Sequence, residues 1–125
     1  MRILVTGSRH WNDRTTIADA LAQAWEDLGN PEGVTLVHGA CPHGGADQIA
    51  AQEASKRGWT IEAHPADWAA HGKAAGPLRN QQMVDAGADI TLAFPQEGSR
   101  GTWDCIRRAR KAEIPVWVVP APEGE

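Results

Sequence analysis

Cysteine is scarce in this chain and tyrosine is absent: its 125 residues include 2 cysteines, 6 tryptophans, 1 phenylalanine and 0 tyrosines. Cys41 and Cys105 lie far apart and form no C-x-x-C pair, which excludes a disulfide framework and marks both as reduced thiols. Long apolar runs are missing too. No stretch approaches the length needed to cross a bilayer, and the opening Met1-Arg2-Ile3-Leu4-Val5 run is too short for a secretion signal, so a cytoplasmic chain with no membrane partner is expected. Positive charge is in deficit. A formal net charge of −4 argues against broad attraction to nucleic acid, leaving room only for local basic clusters. Two phosphate-binding signatures are also absent: Gly7-Ser8-Arg9-His10-Trp11 lacks the second and third glycines of G-x-G-x-x-G, and no Walker lysine pattern occurs. A conventional dehydrogenase and a P-loop ATPase are therefore disfavoured.

What is present is a regular alternation. Five short aliphatic and β-branched runs, at about 2–6, 34–38, 60–64, 90–94 and 115–119, read as strands. The segments between them have helical length. In the first, Ile17, Leu21, Ala24, Trp25 and Leu28 form one apolar stripe, with Asp13 or Thr15 as cap and Gly29 as stop. The second is expected from about Gly45 to Arg57, stopped by Gly58. The third starts at Pro77, a residue suited to a first helical position, and ends before Gly87; the fourth begins near Thr102. Strict alternation implies right-handed crossovers and an α/β fold, a three-layer Rossmann-like sandwich on a five-stranded parallel sheet of order 3-2-1-4-5. With no shift in composition along the chain, residues 1–119 read as one domain and 120–125 as a short disordered tail.

Glycine-rich turns follow the apolar runs at Gly7-Ser8-Arg9, at Gly39-Ala40, and, after Phe94-Pro95, at Ser99-Arg100-Gly101-Thr102. Strand ends opening into helix N-termini present unpaired amides that suit phosphate or carboxylate. A nucleotide or sugar-phosphate pocket at the C-terminal edge of the sheet is expected. Arg9, Arg79 and Arg100 could supply bidentate forks, while Arg107, Arg108, Arg110 and Lys111 read as a solvated face. The long segment from His64 to Gly76 reads as a lid, from which Trp68 could stack on a base and Lys73 approach a phosphate; Trp11 could stack from the first loop, although packing explains either tryptophan. Gly7 and Gly39 could serve only the backbone dihedrals of tight turns, Ser8 and Thr102 could be caps, and Asp104 could complement a helix dipole. Cys105, beside Ile106 and Ala109, reads as core. His38, Cys41 and His43, with Cys105 or His10 as an outside ligand, match no standard zinc spacing, so neither metal nor cofactor is assigned.

Taken in order, Val5-Thr6-Gly7-Ser8-Arg9, His38-Gly39-Ala40-Cys41-Pro42-His43-Gly44-Gly45-Ala46-Asp47, Arg79-Asn80 and Ser99-Arg100-Gly101-Thr102 resemble the SLOG superfamily, most closely its small YspA/YpsA-related branch of bacteria and phages. The resemblance covers nearly the whole chain. It implies a Rossmann-like fold, a nucleotide-type pocket, a homodimer, and a site drawn from Gly7, Ser8, Arg9, Gly39, Ala40, Gly44, Gly45, Asp47, Arg79, Asn80, Ser99, Arg100, Gly101 and Thr102, to which the lid segment adds Lys73. Gly101-Thr102 resembles the G-T of the P-G-G-x-G-T-x-x-E motif of LOG phosphoribohydrolases. Gln96-Glu97-Gly98 lengthens that loop, and Cys105 stands where those enzymes carry their catalytic glutamate, with Asp104 one residue early. Three functions follow. The first is a nucleotide-binding sensor or module. The second is a phosphoribohydrolase using Arg79 and Asp104, and the third is single-stranded DNA binding, which the net charge opposes.

Overall fold

In the computed structural model, which describes residues 1–41 and 44–121, the apolar runs become strands β1 (Arg2–Gly7), β2 (Thr35–His38), β3 (Thr60–Ala63), β4 (Ile90–Phe94) and β5 (Val116–Val118). All pairs are parallel, in the order β3-β2-β1-β4-β5. This is the expected order. Helices α1 (Arg14–Asp27) and α2 (Ala46–Lys56) cover one face; α4 (Ala75–Asp85) and α5 (Arg100–Lys111) cover the other. Side chains alternate along a strand, so Ile3 and Val5 enter the α1/α2 core with Leu36, Leu92 and Phe94. Leu4 enters the α4/α5 core with Val37, Met83, Cys105 and Ala109. Both faces are covered, which is why the strand runs are continuously apolar.

The first two helices start and stop close to expectation. The Asp13 carboxylate caps α1, accepting from Thr16 N at 3.1 Å, and Gly29 turns left-handed just past its end. Gly45 precedes α2 at φ +81°, and Gly58 follows it at φ +79°. The third helical region differs from expectation. Instead of one open loop leading to Pro77, the chain makes a one-turn helix α3 (Trp68–His71), capped by the Asp67 carboxylate on Ala70 N at 3.0 Å, then a tight turn at Gly72–Ala74. α4 then begins two residues before Pro77. None of the first four amides of a helix has an intrahelical partner, so proline fits the third position as well as the first. α5 likewise starts at Arg100, not Thr102.

Gly7 and Gly39 have ordinary backbone angles and are needed for close approach. A Cβ on Gly7 would lie 2.5 Å from the Ala46 Cβ, where α2 packs onto β1, and a Cβ on Gly39 would lie 2.5 Å from the Arg79 guanidinium. No helix among the described residues is long and apolar enough to cross a membrane.

Candidate functional site

The connections after β1 and β4 depart to opposite faces, and the crevice this opens at the C-terminal edge of the sheet is a cavity of about 1190 Å³. Gly7, Ser8 and Arg9 wall it from the first loop, Gly39 and Ala40 from the second, with Asp47 of α2 beneath. Arg79 and Asn80 of α4 face Ser99, Arg100, Gly101, Thr102 and Asp104 at the start of α5. Gly44, Gly45 and Lys73 do not line it. Gly45 instead lets α2 begin hard against the backbone of Ser8 and Arg9, where a Cβ would overlap main-chain atoms.

The donors at the rim differ in how free they are. α5 has no side-chain cap: Ser99 Oγ turns away to accept from Gln96 N at 2.9 Å. The Arg100 amide bonds Gly98 O at 2.9 Å, while those of Gly101 and Thr102 have no partner among the described residues. Such an end carries partial positive charge. Arg79 is less free than a bidentate fork requires. Its Nη1 donates to Gly39 O and, at 3.5 Å, to His64 O, and its Nε donates to Asn80 Oδ1 at 3.0 Å, so only Nη2 is uncommitted among the described residues. Arg9 and Arg100 are exposed, and among the described residues Arg9 makes only a long contact, 3.4 Å, to the His10 ring. The Asn80 amide bridges α4 to α5, donating to Gly101 O at 3.1 Å and Asp104 Oδ2 at 3.0 Å.

Two carboxyl groups sit in this site under opposite conditions. Asp47 is buried; one oxygen accepts from Gly39 N at 3.2 Å, and the other, fully enclosed, has no partner within hydrogen-bond distance among the described residues. Burial pushes its pKa up to about 6 against the pull of Arg79 and of the Gly39 and Cys41 amides. Asp104 is desolvated too, but hydrogen bonds from Arg108 and Asn80 and the charges of Arg108 and Arg107 outweigh burial and hold its pKa below the ordinary value. It is a fixed carboxylate at neutral pH and no proton donor. His38 accepts from Ala40 N at 2.9 Å through Nδ1, and burial, helped by His64 and Arg79, lowers its pKa. Burial raises the Cys105 thiol to about 11, which fits a core residue.

Trp11 does not reach the ligand space. It is 2% exposed, packs edge-on to Phe94 with ring centroids 5.4 Å apart, and donates to Asp13 O. Trp68 lines the mouth and is exposed. Arg107, read from sequence as solvated face, also lines the cavity. The signal that could have found it is spacing, because Arg100, Asp104 and Arg107 recur at helical intervals and share one face. No group of three or more potential metal ligands occurs among the described residues; His43 lies outside them.

Residues 1–71 match the YspA, cpYpsA-related SLOG family. The chain is similar to the gene 61 protein of Mycobacterium phage D29, with 52% identity over 120 residues, 92% of this chain and 93% of that protein. In structure it is similar to DNA processing protein A (DprA) from Streptococcus pneumoniae, with a TM-score of 0.69 over 99% of this chain at 17% identity. It spans about half, 52%, of that longer chain, and at this identity the likeness is one of fold.

Proposed function

Because the chain belongs to the YspA, cpYpsA-related SLOG family, we propose that its cavity binds a nucleotide or nucleotide-derived phosphate ligand and that the protein acts as a sensor or binding module. One observation carries the reading: the unpartnered Gly101 and Thr102 amides of α5 open into the same cavity as the Arg9, Arg79 and Arg100 guanidinia. Amides and guanidinia lining one cavity suit a phosphate. The calorimetric test compares adenosine 5′-monophosphate with adenosine. The monophosphate binds and adenosine binds about tenfold or more weakly, while the exposed-site variant Arg100→Ala loses most of that difference. Equal affinity for the two ligands overturns the phosphate assignment. The same reading includes a homodimer, with exposed Trp117 on edge strand β5 as the surface, measured by sedimentation.

A second reading is supported by the position of Asp104. A carboxylate held anionic in the cavity could stabilise an oxocarbenium-like transition state, as in a phosphoribohydrolase. Free base released from a nucleoside monophosphate, and lost in Asp104→Ala, would establish it. Strand binding, suggested by the name of the DNA processing protein, meets a net charge of −4 and stands third.

A further inference from the structure

The cavity does not end at the start of α5. A shallower hollow of about 390 Å³ adjoins it on the outer side of that helix, and Gly98, Ser99, Arg100 and Arg107 line both. The remaining wall of the outer hollow is Trp103, 39% exposed although tryptophan is usually well buried. Side chains three and four apart are neighbours on a helix, so Arg100 and Arg107 flank the indole from the turns before and after it. Arg100 is exposed, and the Arg107 side chain, 69% exposed, makes among the described residues only a long contact of 3.8 Å to Asp104. An exposed indole with an arginine one helical turn to either side suits a planar ring joined to an anionic group, since base-on-aromatic stacking and charge-assisted hydrogen bonds act on adjacent parts of one nucleotide. The inner cavity alone exceeds the roughly 300–1,000 Å³ of ordinary small-molecule pockets.

We infer that Trp103, Arg100 and Arg107 form a second base subsite, so that the ligand is a dinucleotide-type molecule: two nucleoside units joined through phosphate. One unit lies in the inner cavity, the linking phosphate lies at Arg100 and Arg107, and the second base stacks on Trp103. This rests on the phosphate-ligand reading above and extends it.

The test is calorimetry with adenosine 5′-monophosphate and with 5′-phosphorylated diadenylate on the full chain. Wild type binds the dinucleotide about tenfold or more tighter. Trp103→Leu removes that gain and leaves monophosphate affinity unchanged. Arg110→Ala, which alters an exposed side chain of α5 outside both hollows, leaves both affinities unchanged. Monophosphate binding with no gain for the dinucleotide overturns the subsite alone; no binding of either overturns the phosphate reading with it. An equal loss for both ligands in Trp103→Leu makes the residue structural. A variant that sediments differently but keeps the preference assigns Trp103 to self-association, and an affinity that climbs with each nucleotide beyond two points to a strand surface; either result overturns the subsite.

Discussion

Asp47 places one carboxylate oxygen on the Gly39 amide and encloses the other without a hydrogen-bond partner among the described residues, and its proton affinity follows from that burial. A carboxyl that titrates near 6 when folded and near 3.8 when unfolded stabilises the native state fully below the lower value and loses that contribution as pH rises through the upper one. The difference corresponds to about 3 kcal/mol. His38 works the other way: with its pKa lowered by burial, its contribution is present above 6.5 and lost as pH falls through the folded value. Comparing variant with wild type cancels His38. The Tm of Asp47→Asn relative to wild type is expected to fall steadily between about pH 7.5 and about pH 4.5 in scanning calorimetry, and a constant difference would show that Asp47 does not titrate. The glycines separate just as sharply. Gly7→Ala should lower stability in urea by about 1–3 kcal/mol, because its Cβ meets Ala46, whereas Gly101→Ala, with nothing within 4 Å, should be neutral or up to about 1 kcal/mol stabilising. The sequence showed that both positions mattered. It could not show that one fills a packing contact and the other borders open space, because the neighbour that decides this is far away in the chain.

α1 and α5 begin in opposite ways. The Asp13 carboxylate satisfies the Thr16 amide in the first turn of α1, so Asp13→Ala should cost about 1 kcal/mol in urea unfolding without changing nucleotide affinity. α5 leaves its Gly101 and Thr102 amides unpaired. Supplying an acidic cap through Ser99→Asp should stabilise the fold by about 0.5–1 kcal/mol and weaken monophosphate binding about tenfold, because the new carboxylate takes the place of the ligand. Stabilisation with unchanged binding would show that those amides do not hold the phosphate. The sequence located both starts within two residues, since caps and glycine stops are local chemistry. It came equally close for α4, at Pro77 against Ala75, but missed α3, because Trp68 to Ala74 turns helical with Asp67 as its cap and Gly76 against the Trp68 ring, contacts that a loop composition does not reveal.

The molecule as a whole carries −4, yet Arg9, Arg79, Arg100 and Arg107 meet at one rim, opposed there by Asp47, Glu97 and Asp104. Such a local field fits a ligand with one or two phosphates. Affinity for the monophosphate should fall with salt at a shallow log–log slope of about −1, and duplex DNA should not bind at about 0.15 M salt; a steep slope on a nucleic acid would reverse that reading. The sheet order makes this rim. β1 lies at the centre, and the chain turns to opposite faces after β1 and β4, bringing together loops some 90 residues apart. By itself the sequence determined the alternation of strand and helix, the parallel sheet and the loops that line the cavity, because periodicity, caps and glycine stops act over a few residues. Only the tertiary structure decided that Arg79 commits two nitrogens to the protein, that Asn80 is a bridge, that Asp47 is enclosed, and that Trp11 is core while Trp103 is surface. Those outcomes depend on which distant groups compete for each hydrogen bond and each patch of apolar contact, and that competition exists only once the chain has closed on itself.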